Sequence, residues 1–139
     1  MDIENLLKAL DNENNSKFLK LNNQKIKKMK LDMLNELQLP RDDLIKYMNK
    51  LKEYIYIDEM SDLKIGGFIR WIPLKDPDEI YLTSGAILSE INVTDNGVLL
   101  NCKNFAKKHY QIKLDECLVF QKLNQQEIVL LCALDNLSK

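Results

Sequence analysis

Gly85-Ala86-Ile87-Leu88-Ser89-Glu90-Ile91-Asn92-Val93-Thr94-Asp95-Asn96-Gly97-Val98-Leu99-Leu100-Asn101-Cys102-Lys103-Asn104 holds two runs of alternating apolar and polar side chains around Asn96-Gly97. Successive side chains of a strand point to opposite faces, so this period of two marks a ribbon buried on one side. Asn and Gly tolerate the positive φ that a two-residue type I′ turn needs, and the twist of that turn suits the flanking strands. The expected hairpin sets Asp95 opposite Val98, Val93 opposite Leu100 and Ile91 opposite Cys102. Ile91, Val93, Val98, Leu100 and Cys102 then share the buried face, while Glu90, Asn92, Thr94, Asn101 and Lys103 share the other. Leu99 falls on the polar side, so that face is expected to be partly covered.

The same signals extend outward from Gly66 to Lys122. Tyr54-Ile55-Tyr56-Ile57 is a short β-prone run, and Phe68-Ile69-Arg70-Trp71-Ile72 is a strand stopped by Pro73. Ile80 to Leu82 reads as extended. Tyr110, Ile112 and Leu114 alternate with His109, Gln111 and Lys113, and Cys117 to Lys122 closes the series. About five strands over this length predict a small antiparallel SH3-like or Sm-like barrel, with an open sheet as the competing form. Asn124 and Glu127 have capping-box spacing, and Ile128 to Leu137 is apolar on more than one face, as for a helix buried on two sides or supporting a dimer.

Residues 1–53 read as a helical arm. Ile3, Leu6, Leu7 and Leu10 fit a short amphipathic helix. Asn23 suits the cap of a second helix with Ile26, Met29, Met33, Leu34 and Leu37 as its stripe, and Lys25, Lys27, Lys28 and Lys30 largely on other faces. Pro40 opens a third helix, with Asp42 and Asp43 at its positive end and Leu44, Ile45, Met48 and Leu51 inward. The fold class expected is therefore α+β: arm 1–53 with a helix-turn-helix-like hairpin, then 54–139 with a five-stranded antiparallel barrel or sheet and a C-terminal helix.

At 45% hydrophobic and 29% charged residues, the composition is that of an ordinary soluble domain, without an apolar run of membrane-spanning length. Asp2 and Glu4 argue against a secretory leader, so an intracellular site is expected. Cys102, Cys117 and Cys132 are widely spaced and expected as buried free thiols in a reducing compartment. A single histidine, His109, excludes a two-histidine metal site, and no zinc-type Cys/His spacing or calcium loop is present. Gly66-Gly67 has no phosphate-loop context, and Ser84-Gly85 no nucleophile-elbow pattern. No catalytic residue, metal, cofactor or small-molecule substrate is therefore expected, and the chain reads as a non-enzyme.

Charge is unevenly placed: residues 16–52 hold ten Lys/Arg against four Asp/Glu, although the whole chain has a net charge of −1. A basic arm is an electrostatic footprint for nucleic acid, and it serves an acidic protein or the chain's own sheet as well. Lys27, Lys28, Arg41, Lys46 and Lys50 are its candidate phosphate contacts, and Asn49 and Lys52 lie on the same helix-turn-helix-like unit. A helical hairpin packed on the sheet with a solvated lysine face is the competing reading. Arg70 beside Trp71 offers a cation and an indole surface, or a paired edge-strand arginine. Lys103, Phe105, Lys107, Lys108, His109, Tyr110 and Lys113 interleave bases with aromatics, as in sheets that hold single strands; Tyr110 is also in phase with core residues.

Asp62-Leu63-Lys64-Ile65-Gly66-Gly67-Phe68-Ile69-Arg70-Trp71-Ile72, with Leu82-Thr83-Ser84-Gly85 and Cys102-Lys103-Asn104-Phe105, resembles small proteins of large nucleocytoplasmic DNA viruses over residues 44–139. That resemblance implies a virus-encoded protein acting in the infected cell's cytoplasm or nucleus, or packaged in virions, and carries no functional residues with it. The expected function is a non-enzymatic binding module for nucleic acid or another protein, with a structural or adaptor protein, including a homodimer, as the alternative.

Overall fold

The computed structural model describes Glu4, Leu7, Lys8 and residues 21–137. The short helix expected on Ile3, Leu6, Leu7 and Leu10 lies outside the described residues except at Leu7. The described chain is α+β, with helices α1 (Asn23–Asn35), α2 (Arg41–Lys50) and α3 (Gln125–Leu137). Its strands are β1 (Tyr54–Ile57), β2 (Phe68–Pro73), β3 (Ala86–Thr94), β4 (Gly97–Lys103), β5 (His109–Lys113) and β6 (Cys117–Lys122). They form one open antiparallel sheet of six strands in the order β1-β6-β2-β3-β4-β5. Six strands replace the five expected, and Tyr54–Ile57 is a full strand paired to β6. Ile80 to Leu82 forms no strand; its continuation is tied to β2 where the Thr83 N–H donates to the Trp71 carbonyl at 3.0 Å.

The hairpin of β3 and β4 forms, with its turn one residue earlier than expected. Thr94 faces Gly97, Val93 faces Val98 and Ile91 faces Leu100. The Thr94 hydroxyl accepts from Asn96 N–H at 3.2 Å and donates to the Gly97 carbonyl at 2.9 Å, which anchors Asp95-Asn96 as the turn. Gly97 alone in this turn takes a positive φ, +124°. The shift changes each partner by two residues, so the face assignments survive. Further along, Ser89 is an extra residue between the Leu88–Cys102 and Glu90–Asn101 pairs, and its hydroxyl donates to the Asn101 carbonyl at 2.9 Å. This bulge switches the inward phase from Ala86 and Leu88 to Ile91 and Val93. Val93 keeps the inward side but extends beyond the core, 69% exposed.

The sheet has a core on each face. One contains Ile55, Ile57, Ile69, Trp71, Leu88, Leu100, Cys102 and Val119 with Leu130 and Leu131 of α3 and Ile26 of α1. The other contains Tyr54, Ile72, Leu118 and Phe120 with Leu34 of α1 and Leu51, joined at its margin by Leu44, Tyr47 and Met48 of α2. The helical hairpin thus packs on the sheet, with α1 reaching both cores beside edge strand β1. Tyr47 takes the place expected for Ile45, which is exposed. Lys30 belongs to the buried face of α1 while Met29 is exposed, the reverse of the stripe expected. The Lys30 ammonium explains this: it donates to the Leu51 carbonyl at 2.7 Å and the Lys52 carbonyl at 3.4 Å, where a cation complements the end of α2.

Two further contacts fix the arrangement. Tyr110 on β5 meets Trp71 on β2 edge to face at 5.7 Å although two strands intervene, so the sheet curls strongly about the first core. A three-residue 3₁₀ turn, Leu114–Glu116, carries the chain from β5 to β6. At α3 the capping box is complete: the Glu127 carboxylate accepts from Asn124 N–H at 2.8 Å, and Asn124 Oδ1 from Glu127 N–H at 2.9 Å. The other Glu127 oxygen pairs with Lys64 at 2.8 Å. Among the described residues, no helix is long and apolar enough to cross a membrane.

Candidate nucleic-acid interface

Register places the basic and aromatic residues of the β4–β5 region. Phe68 pairs with Ile87, Ile87 with Lys103 and Lys103 with His109, so these four form a row on the sheet face opposite Cys102 and Tyr110. The next row is polar: Asn101 donates to Glu90 at 3.4 Å and accepts from Gln111 at 3.0 Å. Helix α2 and its neighbours cover the same face only over β1, β6 and β2, leaving Glu90, Lys103, His109 and Gln111 exposed.

The loop joining the strands is held by Asn104. Its side-chain oxygen accepts from Lys108 N–H at 2.9 Å, its N–H donates to the Lys108 carbonyl at 3.0 Å, and its carbonyl accepts from Lys107 N–H at 3.0 Å. Lys107 takes a left-handed φ of +64° within this closed turn. The turn pushes Phe105 outward, 85% exposed, where its ring lies nearly parallel to Phe68 with centroids 6.3 Å apart. Lys108 lies over the Tyr110 ring at 5.3 Å, and Asn104 Nδ2 donates to the Tyr110 hydroxyl at 3.4 Å. Lys103, Lys107, Lys108 and His109 are all exposed, and among the described residues no carboxylate pairs with any of them. The arrangement presents cations and an aromatic ring on a fixed turn.

The other sequence candidates are distributed differently. Lys27, Lys28, Arg41, Lys46 and Lys50 are exposed on α1 and α2; Lys28 is bridged to Asp32 at 2.8 Å, and Asp42 and Asp43 lie in the first turn of α2. Arg70 is half-buried and donates to the Thr83 carbonyl at 2.8 Å, close enough to Tyr54 to act on its hydroxyl electrostatically, so it serves the fold. Trp71 is corrected as a stacking surface: it is 4% exposed in the first core, with Tyr110 packed against it at 5.7 Å. Phe68, the backing ring of Phe105, was not a sequence candidate. Thirty-seven positions separate the two, and only the Phe68–Ile87–Lys103 register joins them.

Shallow clefts of about 440 Å³ and 330 Å³ lie near the β5–β6 turn and share Cys117. Burial pushes the Cys117 thiol up to about 11, with Glu116 adding to the effect, so it is protonated at neutral pH and a poor nucleophile. Burial alone raises Cys102 to about 11, and its side chain points to the face opposite His109, so the two form no dyad. Cys132 is exposed, against the expectation of three buried thiols. Among the described residues no cluster of His, Cys, Asp and Glu could hold a metal ion.

No family model matches this chain, and neither a curated protein nor a solved structure matches it.

Proposed function

We propose that this protein is a non-enzymatic binding module that holds nucleic acid on the β4–β5 hairpin, with the basic faces of α1 and α2 as a second contact. The observation that carries the reading is the exposed lysines Lys103, Lys107 and Lys108, none paired with a carboxylate among the described residues, with His109 beside them around the exposed Phe105, on a turn closed by Asn104. Cations held without carboxylate partners attract phosphate and release its counterions. Preorganisation lowers the ordering cost of binding. The finer fold reading, a small SH3-like or Sm-like barrel, draws support from the curl that joins Tyr110 to Trp71 and from the 3₁₀ turn between β5 and β6. A virus-encoded origin belongs to the same reading and rests on the resemblance over residues 44–139.

Fluorescence anisotropy with labelled DNA and RNA at several salt concentrations tests it. Affinity should fall linearly on a log–log plot of salt, and Lys103→Gln with Lys107→Gln should flatten the slope by about 0.7–0.9 for each phosphate no longer neutralised. Absence of binding at low salt, or binding indifferent to salt, rejects the proposal.

The alternative, a structural or adaptor protein, is favoured by one feature: β5 is an edge strand with β4 as its single strand partner. Antiparallel pairing of two copies centred on Gln111 would continue the sheet across this edge. Sedimentation that shows a monomer over a wide concentration range removes the homodimer.

A further inference from the structure

Resting on the nucleic-acid reading, we infer that the hairpin takes a single strand with unpaired bases rather than a duplex, stacking one base on the outer face of Phe105. The geometry of the ring carries this. Phe105 lies nearly parallel to Phe68, at an interplanar angle of 15° with centroids 6.3 Å apart, so the two rings are offset, and Phe105 is 85% exposed with its ring face open. Stacking requires a free base face; within a duplex both faces of a base are already covered by its neighbours, whereas a single strand can splay its bases onto an aromatic platform.

The charges around the ring set the path of the backbone. Lys107 and Lys108 lie on the turn, His109 and Lys103 form the next row, and Lys113, paired with Glu116 at 3.9 Å, ends β5 about 13 Å from His109 at the usual rise per residue. Glu90 closes the far side of the same face through its bond to Asn101 and repels phosphate from β3. The strand is thereby directed along β4 and β5. Gln111 and Asn101 lie one pleat repeat, about 7 Å, from the Lys103–His109 row, where their amides meet the edge of the next base. Among the described residues, the outer face of β3 to β5 carries no helix that could enter a major groove.

The test compares fluorescein-labelled dT12, U12 and a mixed-sequence 12-base-pair duplex against the full chain and its Phe105→Ala and Phe105→Tyr variants. Both single strands should bind at least about tenfold more tightly than the duplex. Phe105→Ala should weaken single-strand binding by about 5- to 150-fold, the worth of one stacked base, with the salt slope unchanged, and Phe105→Tyr should restore it. A gap between dT12 and U12 identifies DNA or RNA as the natural source of the strand. Duplex binding equal to single-strand binding, or full affinity in Phe105→Ala, overturns the single-strand inference while leaving a phosphate-binding module standing. No binding of any of the three probes removes both, as does equal affinity for a poly-glutamate peptide, which would make the hairpin a general acidic-protein contact. Circular dichroism of the variants should be unchanged, because Phe105 lies outside both cores.

Discussion

β1, β6 and β2 are covered on both faces, by α3 and the first core on one side and by Leu34, Leu51 and α2 on the other, whereas β3, β4 and β5 share only the first of these covers. The sequences differ accordingly. Two-faced burial turns Cys117-Leu118-Val119-Phe120 and Tyr54-Ile55-Tyr56-Ile57 into nearly unbroken apolar runs, while one-faced burial leaves the alternation of Tyr110-Gln111-Ile112 and of Leu100-Asn101-Cys102. One half of the sheet is committed to holding the fold. The other half keeps a polar face whose residues are free to serve something besides the fold.

The largest effect should separate these halves on the same face. Phe120, wholly buried beneath the helical hairpin, should cost about 3–5 kcal/mol of unfolding free energy when truncated to alanine, through reduced burial and the cavity left behind. Phe105→Ala should change stability by no more than about 0.5 kcal/mol. Urea denaturation of the two variants measures both. Similar destabilisation in the two would mean that the outer face of the hairpin is part of the structural core.

How much of the fold could be read beforehand follows from the same contrast. The alternating half was legible in its faces: Ile91, Leu100 and Cys102 point inward together, as expected, while Val93, expected with them, is 69% exposed beyond the core. The register was not. Asn96-Gly97 offered a type I′ turn, but the Thr94 hydroxyl set the turn at Asp95-Asn96, a choice made by one side chain's local hydrogen bonds. The two-faced half was harder, because a short apolar run without alternation does not say which faces are covered or by what. Lys30 shows the limit most clearly. Its burial depends on meeting carbonyls twenty-one and twenty-two positions later, and no helical period contains that information. For the candidate site, the Lys/aromatic interleaving of residues 103–110 was visible in the sequence. The withdrawal of Trp71 and the arrival of Phe68 required the sheet.

Lys30 also yields the next prediction, of intermediate size. Burial, reinforced by Lys27, lowers its pKa to about 8 from 10.5. Between those values the unfolded chain binds more protons at this site than the native one, so this lysine makes stability rise with pH through that window. Cys102 and Cys117 act oppositely: raised from 9.0 to about 11, they keep their protons in the native state and make stability fall over the upper part of the range. The lysine is therefore isolated by difference. From pH 7.5 to 9, wild type should gain on the order of 1 kcal/mol relative to Lys30→Met, in which the stem remains and the ammonium is gone. Parallel pH profiles for the two proteins would show that the ammonium is not desolvated as its position between α1 and the end of α2 implies.

The smallest effect sharpens the contrast from the other side. Glu90, Asn101 and Gln111 bond to one another across three strands, and a row of this kind inside the two-faced half would be costly to interrupt. Here water replaces each missing partner. Asn101→Ala and Gln111→Ala should thus stay within about 0.5 kcal/mol of wild type in unfolding free energy, since neither leaves a buried polar group unpaired. If a row so cheap to delete were nonetheless required for binding dT12 or U12, its side chains would be held in line for the ligand and not for the sheet. Retained affinity in both variants would instead confine the recognition surface to Phe105 and the lysines of the turn, with the amide row reduced to solvated packing between neighbouring strands.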